Sequence, residues 1–128
     1  MLVAIHQPEH LPWLGFFDKV AQADVFVLLD TVPYSKGGFQ NRNRIRTGQG
    51  SMWLTVPVRT GGKFGQPIRE VKINNRTSPR WREKAWRSIE QHYGKTPFFA
   101  TYADPFADVY RREWNFLSDL NTAIITAM

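Results

Sequence analysis

The sequence predicts an α/β fold: an N-terminal Rossmann-like β-α-β unit with short strands, followed by a helical C-terminal part. Three observations carry this. Two apolar, β-rich runs, Leu2–Ile5 and Asp24–Leu29, flank a segment whose apolar residues recur at helical spacing. The first run stops at His6 and Gln7 and leads at once toward that helix, the place where α/β proteins gather ligands. From about Asn74 onward the pattern turns helical, with no Pro/Ser-rich linker, internal repeat or low-complexity run at the change. A single domain over 1–128 is therefore expected, with the ligand site in the α/β part, 1–75, and helices in 76–128.

The elements follow in order. Leu2–Ile5 reads as a buried strand. Pro12 suits the first turn of a helix, where its missing N–H is not needed, and Leu14, Phe17, Val20 and Ala21 fall on one face. Asp24–Leu29 is apolar on both faces, as a central parallel strand would be. The connection between the two strands is expected to be right-handed. Gly37 and Gly38 break the chain, Phe39–Arg46 reads as extended, and Gly48 and Gly50 mark a turn. Met52–Val58 is a strand that Pro57 assigns to an edge or a bulge. Ile68–Ile73 reads as a further short strand. Ser78 and Pro79 open a helix with Trp81, Ala85, Ile89 and Tyr93 on one face, and Gly94 closes it. Pro97 starts a shorter helical segment and Pro105 is expected to interrupt it. The last helix, from about Ala107, buries Val109, Trp114, Leu117, Leu120 and Ile124.

Composition narrows the function. A chain of 128 residues can bury a core without staples. The absence of cysteine excludes disulfides, thiol nucleophiles and cysteine-based zinc sites, and it fits a reducing cytoplasm. No run approaches the ~20 apolar residues of a membrane span, and the N-terminus lacks the basic and apolar regions of a signal peptide. The net charge of +6 is concentrated: Thr31–Arg69 holds no acidic residue and seven cations, Lys36, Arg42, Arg44, Arg46, Arg59, Lys63 and Arg69. Such a region expects an anionic ligand; a solvated basic surface is the plain alternative.

Within it, Lys36, Asn41, Arg42, Asn43 and Arg44 supply forked donors and amides suited to a planar or phosphorylated group. In a strand the two asparagines would share one face and the two arginines the other. His6 and His10 have i,i+4 spacing, but Pro8 between them rules against a regular helix, and a third ligand would need Glu9, Asp30 or His92 to converge, so no metal is assigned. These histidines either hydrogen-bond the strand end or contact a ligand. Asp30 ends the second strand, where it could meet a ribose hydroxyl, act as a base or cap a turn. Trp13 and Trp53 are candidates to stack on a ligand, whereas Trp81, Trp86 and Trp114 sit at core spacing. Pro-Glu-His-Leu-Pro-Trp also has the placement of the H-x-G-H loop of nucleotidyltransferases, with Pro12 and Trp13 where glycine and the second histidine would stand. There is no G-x-S-x-G, Walker loop or conventional G-x-G-x-x-G.

The run V-A-I-H-Q-P-E-H-L-P-W-L-G-F-F-D-K, then A-D-V-F-V-L-L-D, the Tyr34–Lys36 element, Q-N-R-N-R-I and W-L-T-V-P-V resemble the WbqC-like protein family over about Leu2–Val58. The later H-Y-G-K-T-P-F-F is similar too. The resemblance implies a role in bacterial O-antigen and surface-polysaccharide biosynthesis, with glycine (aminoacyl) transfer as the suggested activity. His6, Gln7, Pro8, Pro12, Trp13, Gly15, Asp18, Lys19, Asp30, Tyr34, Lys36, Asn41, Arg42 and Ile45 match the family's positions. Pro33 replaces a usual Gln and His10 a usual aromatic. Relatives are usually longer, with a second α/β half.

The resulting expectation is a cytoplasmic transferase or ligase that moves a small acyl group, glycyl in the first instance, onto a sugar amine carried by a nucleotide or lipid phosphate, the anionic ligand being a nucleotide-sugar or sugar phosphate. His6 is the expected base and Asp30 its orienting partner. Gln7, His10, Trp13, Tyr34 and Asn41 would contact substrate, and Lys36, Arg42 and Arg44 its anionic carrier. The cofactor is left open, with a nucleotide as candidate. Two alternatives are carried. One is a nucleic-acid surface with Tyr34, Phe39 and Trp53 interleaved among the cations, disfavoured because no RNA-module motif is present. The other is an incomplete domain that needs a partner, a second copy of the chain included.

Overall fold

The computed structural model describes residues 1–128. The order is β1 (Val3–His6), α1 (Leu14–Gln22), β2 (Val25–Leu28), β3 (Arg42–Thr47), β4 (Gly50–Thr55), β5 (Val58–Arg59), β6 (Lys72–Ile73), α2 (Trp81–Tyr93), α3 (Phe99–Arg111) and α4 (Leu117–Ala127). No helix is long and apolar enough to cross a membrane.

β1 and β2 pair in parallel from Val3↔Val25 to His6↔Leu28, so the expected β-α-β crossover is present. α1 covers one face of the pair. Its Phe16 is buried, with the ring edge-on to Phe26 at 5.2 Å and to His6 at 4.9 Å. The covered face is offset from the expected one, because Phe16 points inward while Leu14 is 88% exposed. The opposite face of the sheet is bare: Val3, Ile5, Val25 and Val27 are 38% to 53% exposed. The sheet has two strands only. A mixed α/β architecture is therefore what the chain forms, and the parallel pair does not extend into a doubly wound Rossmann sheet.

β3 and β4 form an antiparallel hairpin from Arg42↔Thr55 to Thr47↔Gly50. β5 and β6 form a second short antiparallel pair. The strand expected over Ile68–Ile73 divides in two. Ile68–Glu70 is a 3-10 turn, and only Lys72 and Ile73 pair. Ile68 and Val71 are both fully buried. Residues three apart share a face of a 3-10 turn but lie on opposite faces of a strand, so burial of both selects the turn. Ile68 N–H and Arg69 N–H also donate to the carbonyls of Val32 and Asp30, which ties the turn to the end of the basic loop.

Pro105 does not interrupt α3, which runs through it. The proline is exposed, so its ring and the carbonyl it leaves without a donor face solvent. The break falls later, at Arg112–Phe116. There Asn115 O accepts from Ile73 N–H and Leu117 N–H donates to Val71 O, so the connection pairs with β6 rather than coiling. One core joins the sheets to the helices: Ile45, Leu54, Val56, Val71 and Ile73 pack with Trp81, Ala85, Val109, Tyr110, Leu117, Leu120 and Ile124.

Candidate functional site

β1 delivers His6 to the carboxyl end of the parallel pair, and a loop over residues 7–13 returns the chain to α1. In that loop Glu9 turns back, and its Oε1 lies 2.9 Å from His6 Nε2. From α1, Lys19 places Nζ 3.3 Å from His6 Nδ1 and donates to the carbonyl of Ile5 at 3.1 Å. A carboxylate only accepts and an ammonium only donates. In the neutral imidazole this arrangement favours the tautomer with Nε2–H toward Glu9 and the Nδ1 lone pair toward Lys19. The other carboxylate oxygen, Glu9 Oε2, is buried and has no hydrogen-bond partner, so the site retains an unused acceptor.

Gln7 leads from this cluster to the basic loop. Its Oε1 accepts from Gln40 Nε2 at 2.6 Å, and Gln40 Oε1 accepts from Ser35 N–H at 2.9 Å. Just beyond, the Arg42 and Arg44 guanidinium groups lie over the Trp53 ring, 4.2 Å and 4.8 Å from its centroid. Trp53 is the cross-strand partner of Arg44 in the β3–β4 hairpin, so the register itself builds the stack. Arg42 also donates to the carbonyls of Gly37, at 2.8 Å, and Gly38. Lys36 is exposed on the same turn. Tyr34 is half-buried; burial raises its hydroxyl pKa and the Arg42 charge partly offsets this.

The asparagines serve the backbone instead. Asn41 Nδ2 donates to Val56 O at 3.1 Å and Asn43 Nδ2 to Leu11 O at 2.7 Å. Leu11 has φ 47°, a left-handed conformation uncommon outside glycine, and Asn43 clamps it. Trp13 is largely exposed at the start of α1.

His10 has a different place from the expected one. It is fully buried, Nδ1 donates to Asn121 Oδ1 at 3.0 Å, and Nε2 accepts from the Tyr110 hydroxyl at 3.0 Å. Asn121 Nδ2 in turn donates to Gln40 O at 2.7 Å and Pro8 O at 3.4 Å. Burial lowers the His10 pKa to about 4, against the smaller raising effect of the Asn121 bond, and burial raises that of Tyr110. With both nitrogens engaged and no exposed surface, His10 braces the loops from below and touches no ligand. Asp30 also faces elsewhere: its Oδ2 accepts from Ser118 Oγ on α4 at 2.9 Å. The carboxylate bonded to His6 is that of Glu9, and not of Asp30.

The Gln7–Gln40 hydrogen bond thus links the loop after His6 to the basic loop that carries Tyr34 and Lys36 and leads into Arg42 and Arg44, while His10 is enclosed and Asp30 Oδ2 is taken up by Ser118. The sequence pointed to Glu9 only as a candidate metal ligand and to Lys19 only as a family-matched position, and gave no role to Gln40. Glu9 carried a usable signal, since a carboxylate three residues beyond a strand-end histidine meets it when Pro8 turns the chain. No group of three or more His, Cys, Asp or Glu side chains is placed to hold a metal ion.

The sequence profile of the WbqC-like protein family matches residues 7–128. The chain is 41% identical over 127 residues to the uncharacterized protein Rv1507c of Mycobacterium tuberculosis (strain ATCC 25618 / H37Rv), covering 98% of this chain and 54% of that protein. The chain therefore spans about half the length of the curated relative it matches. No solved structure matches.

Proposed function

Because the chain belongs to the WbqC-like protein family, we propose that the end of β1 and the neighbouring arginine pair form one site for acyl transfer, glycyl in the first instance, onto a sugar amine. The carrier of that sugar is anionic, a nucleotide or a sugar phosphate, and the setting is bacterial surface-polysaccharide biosynthesis in the cytoplasm. The observation that carries this reading is the His6–Glu9–Lys19 cluster at the carboxyl end of a parallel strand pair, joined to the Arg42–Trp53–Arg44 stack through Gln7 and Gln40.

The amine nitrogen attacks the acyl carbonyl. As Lys19 turns from His6 Nδ1 to the carbonyl oxygen, a C–N bond forms, the amine proton passes to the freed Nδ1, and the bond from the acyl carbon to the donor's activating group breaks, that group leaving with the electron pair. Glu9, bonded to Nε2–H, favours the imidazolium that results. Lys19 is the cation nearest His6 Nδ1 and balances negative charge on the carbonyl oxygen. Lys36, Arg42 and Arg44 hold the carrier's phosphate. Gln7, Tyr34 and Trp13 contact the sugar. Calorimetric titration with a nucleotide-sugar tests the site: Arg42→Ala weakens binding about 10-fold or more, the loss of a charge-assisted hydrogen bond, and unchanged binding removes the anion site. His6→Gln keeps binding and loses transfer.

A second reading, a domain whose core is completed by a partner, is favoured by the bare β1–β2 face. Parallel sheets are ordinarily covered on both sides. Sedimentation at increasing concentration separates the two: a single monomeric species with a cooperative melt supports the self-sufficient site.

A further inference from the structure

The basic region carries one apolar side chain that touches nothing. Phe64 stands at the tip of the loop that joins β5 to the Ile68–Glu70 turn, fully exposed, between Lys63 and Gly65. Gly62 and Gly65 have φ 71° and 72°, the left-handed conformation that lets the chain reverse there. No atom beyond their chain neighbours lies within 4 Å of where a Cβ would sit on either. The base of the loop is held: Tyr34 N–H donates to Gln66 O at 2.8 Å, Ile68 N–H donates to Val32 O at 2.9 Å, and Pro33 and Pro67 are bridged. The tip therefore projects from a fixed root.

The cations at that root have no partners within the chain. Arg59 of β5 and Lys72 of β6 stand directly opposite each other. Their neighbours Val58 and Ile73 pack into the core, so Arg59 and Lys72 face outward together. Like charges opposed on a sheet face repel, and exposed Lys63 adds a third beside Phe64. The three ion pairs of the molecule lie elsewhere, and Glu70, two residues before Lys72, joins none of these cations.

A single exposed apolar side chain needs no partner. A fully exposed ring among unpaired cations has the composition of an interfacial anchor, the ring for the boundary between headgroups and acyl chains and the cations for anionic headgroups. A stacked nucleobase calls for a ring held flat on a firm surface, and nothing supports Phe64 on either side. An apolar pocket on another protein would leave Arg59, Lys63 and Lys72 unanswered. We propose that the loop over residues 60–67 docks this protein on the surface of an anionic bilayer, with Phe64 in the interface and Arg59, Lys63 and Lys72 against the headgroups. Neither His6 nor the Arg42–Trp53–Arg44 stack takes part, so this contact stands or falls apart from the acyl-transfer reading.

Sedimentation of the unmodified chain with lipid vesicles tests it. Binding to an equal mixture of phosphatidylglycerol and phosphatidylcholine is expected to exceed binding to phosphatidylcholine alone by at least about 10-fold, since each cation near an anionic surface adds roughly a 5-fold gain. Phe64→Ala is expected to weaken binding to the mixed vesicles by about 10-fold, the worth of a buried phenyl ring. Lys63→Glu is expected to weaken it by at least about 5-fold. Both positions are exposed, so the melting temperature stays unchanged. The chain has no cysteine, so Phe64→Cys accepts one environment-sensitive dye at the tip. Its emission is expected to shift to the blue on mixed vesicles, while the same dye on Gln91→Cys, exposed on α2, does not shift. No binding to mixed vesicles, equal binding to the two compositions, or unchanged binding of Phe64→Ala would each overturn the proposal. A dye at position 64 that shifts on oligothymidylate and not on vesicles would overturn it in favour of a nucleic-acid surface.

Discussion

Asn121 joins more of the molecule than any other single side chain near the site. It is fully buried and bonds His10, Gln40 and Pro8, which ties α4 to both loops that carry the site residues. Asn121→Ala leaves those buried groups without partners and is expected to cost on the order of 3 kcal/mol, read from denaturant unfolding; a cost below about 1 kcal/mol, less than one unsatisfied buried group, would contradict the bracing role. His10 gives a pH signature. Above pH 6.5 it is neutral in both folded and unfolded chains, and with its folded pKa at about 4 the unfolded chain binds a proton the folded one refuses between those values. Stability therefore falls as pH falls from 6.5 toward 4, by up to about 3 kcal/mol, and His10→Asn removes that part of the slope. None of this was legible in the sequence. His10 and its partner Asn121 are 111 residues apart, and nothing local to either marks a buried pair. His6, Gln7 and the arginines could be proposed from the sequence because strand ends and cation clusters are local patterns.

At the scale of elements, periodicity located both strands of the parallel pair, the hairpin and the α2 face. It failed where tertiary hydrogen bonds outweighed local preference. The break between α3 and α4 lies at the segment recruited to pair with β6, not at Pro105. Ile68–Glu70 turns because both Ile68 and Val71 need the core. The apolar runs of β1 and β2 suggested a sheet covered on both faces, yet one face is bare. That bareness is testable. Phe26→Ala, under α1, is expected to destabilise by about 3 kcal/mol, and Val27→Lys, on the bare face, by less than about 1 kcal/mol. If Val27→Lys matches Phe26→Ala in urea melts, the face is covered in solution and the partner-dependent reading gains.

For the whole molecule, the sequence predicts a single domain over 1–128, with an α/β part to 75 and helices beyond, and one core draws residues from both parts. Leu117, Leu120 and Ile124 of α4 pack with Ile45 and Leu54 of the hairpin, so the helices hold the arginine stack and the β1 loop in fixed relation. The charge distribution, legible from composition, suggested an anion site; the hydrogen bonds of Gln7, Gln40 and Asn121 that join the β1 loop to the basic loop are visible only in the fold. The central claim is that the His6 cluster and the arginine stack are one site. Imidazole nitrogen NMR on labelled protein, titrated with a sugar phosphate, tests it most directly. The account predicts that free His6 shows the neutral Nε2–H pattern and shifts on titration together with the Arg42 and Arg44 side-chain signals, while buried His10 stays still. Arginine signals that move while His6 does not would contradict it, and the two clusters would then be separate features of one surface.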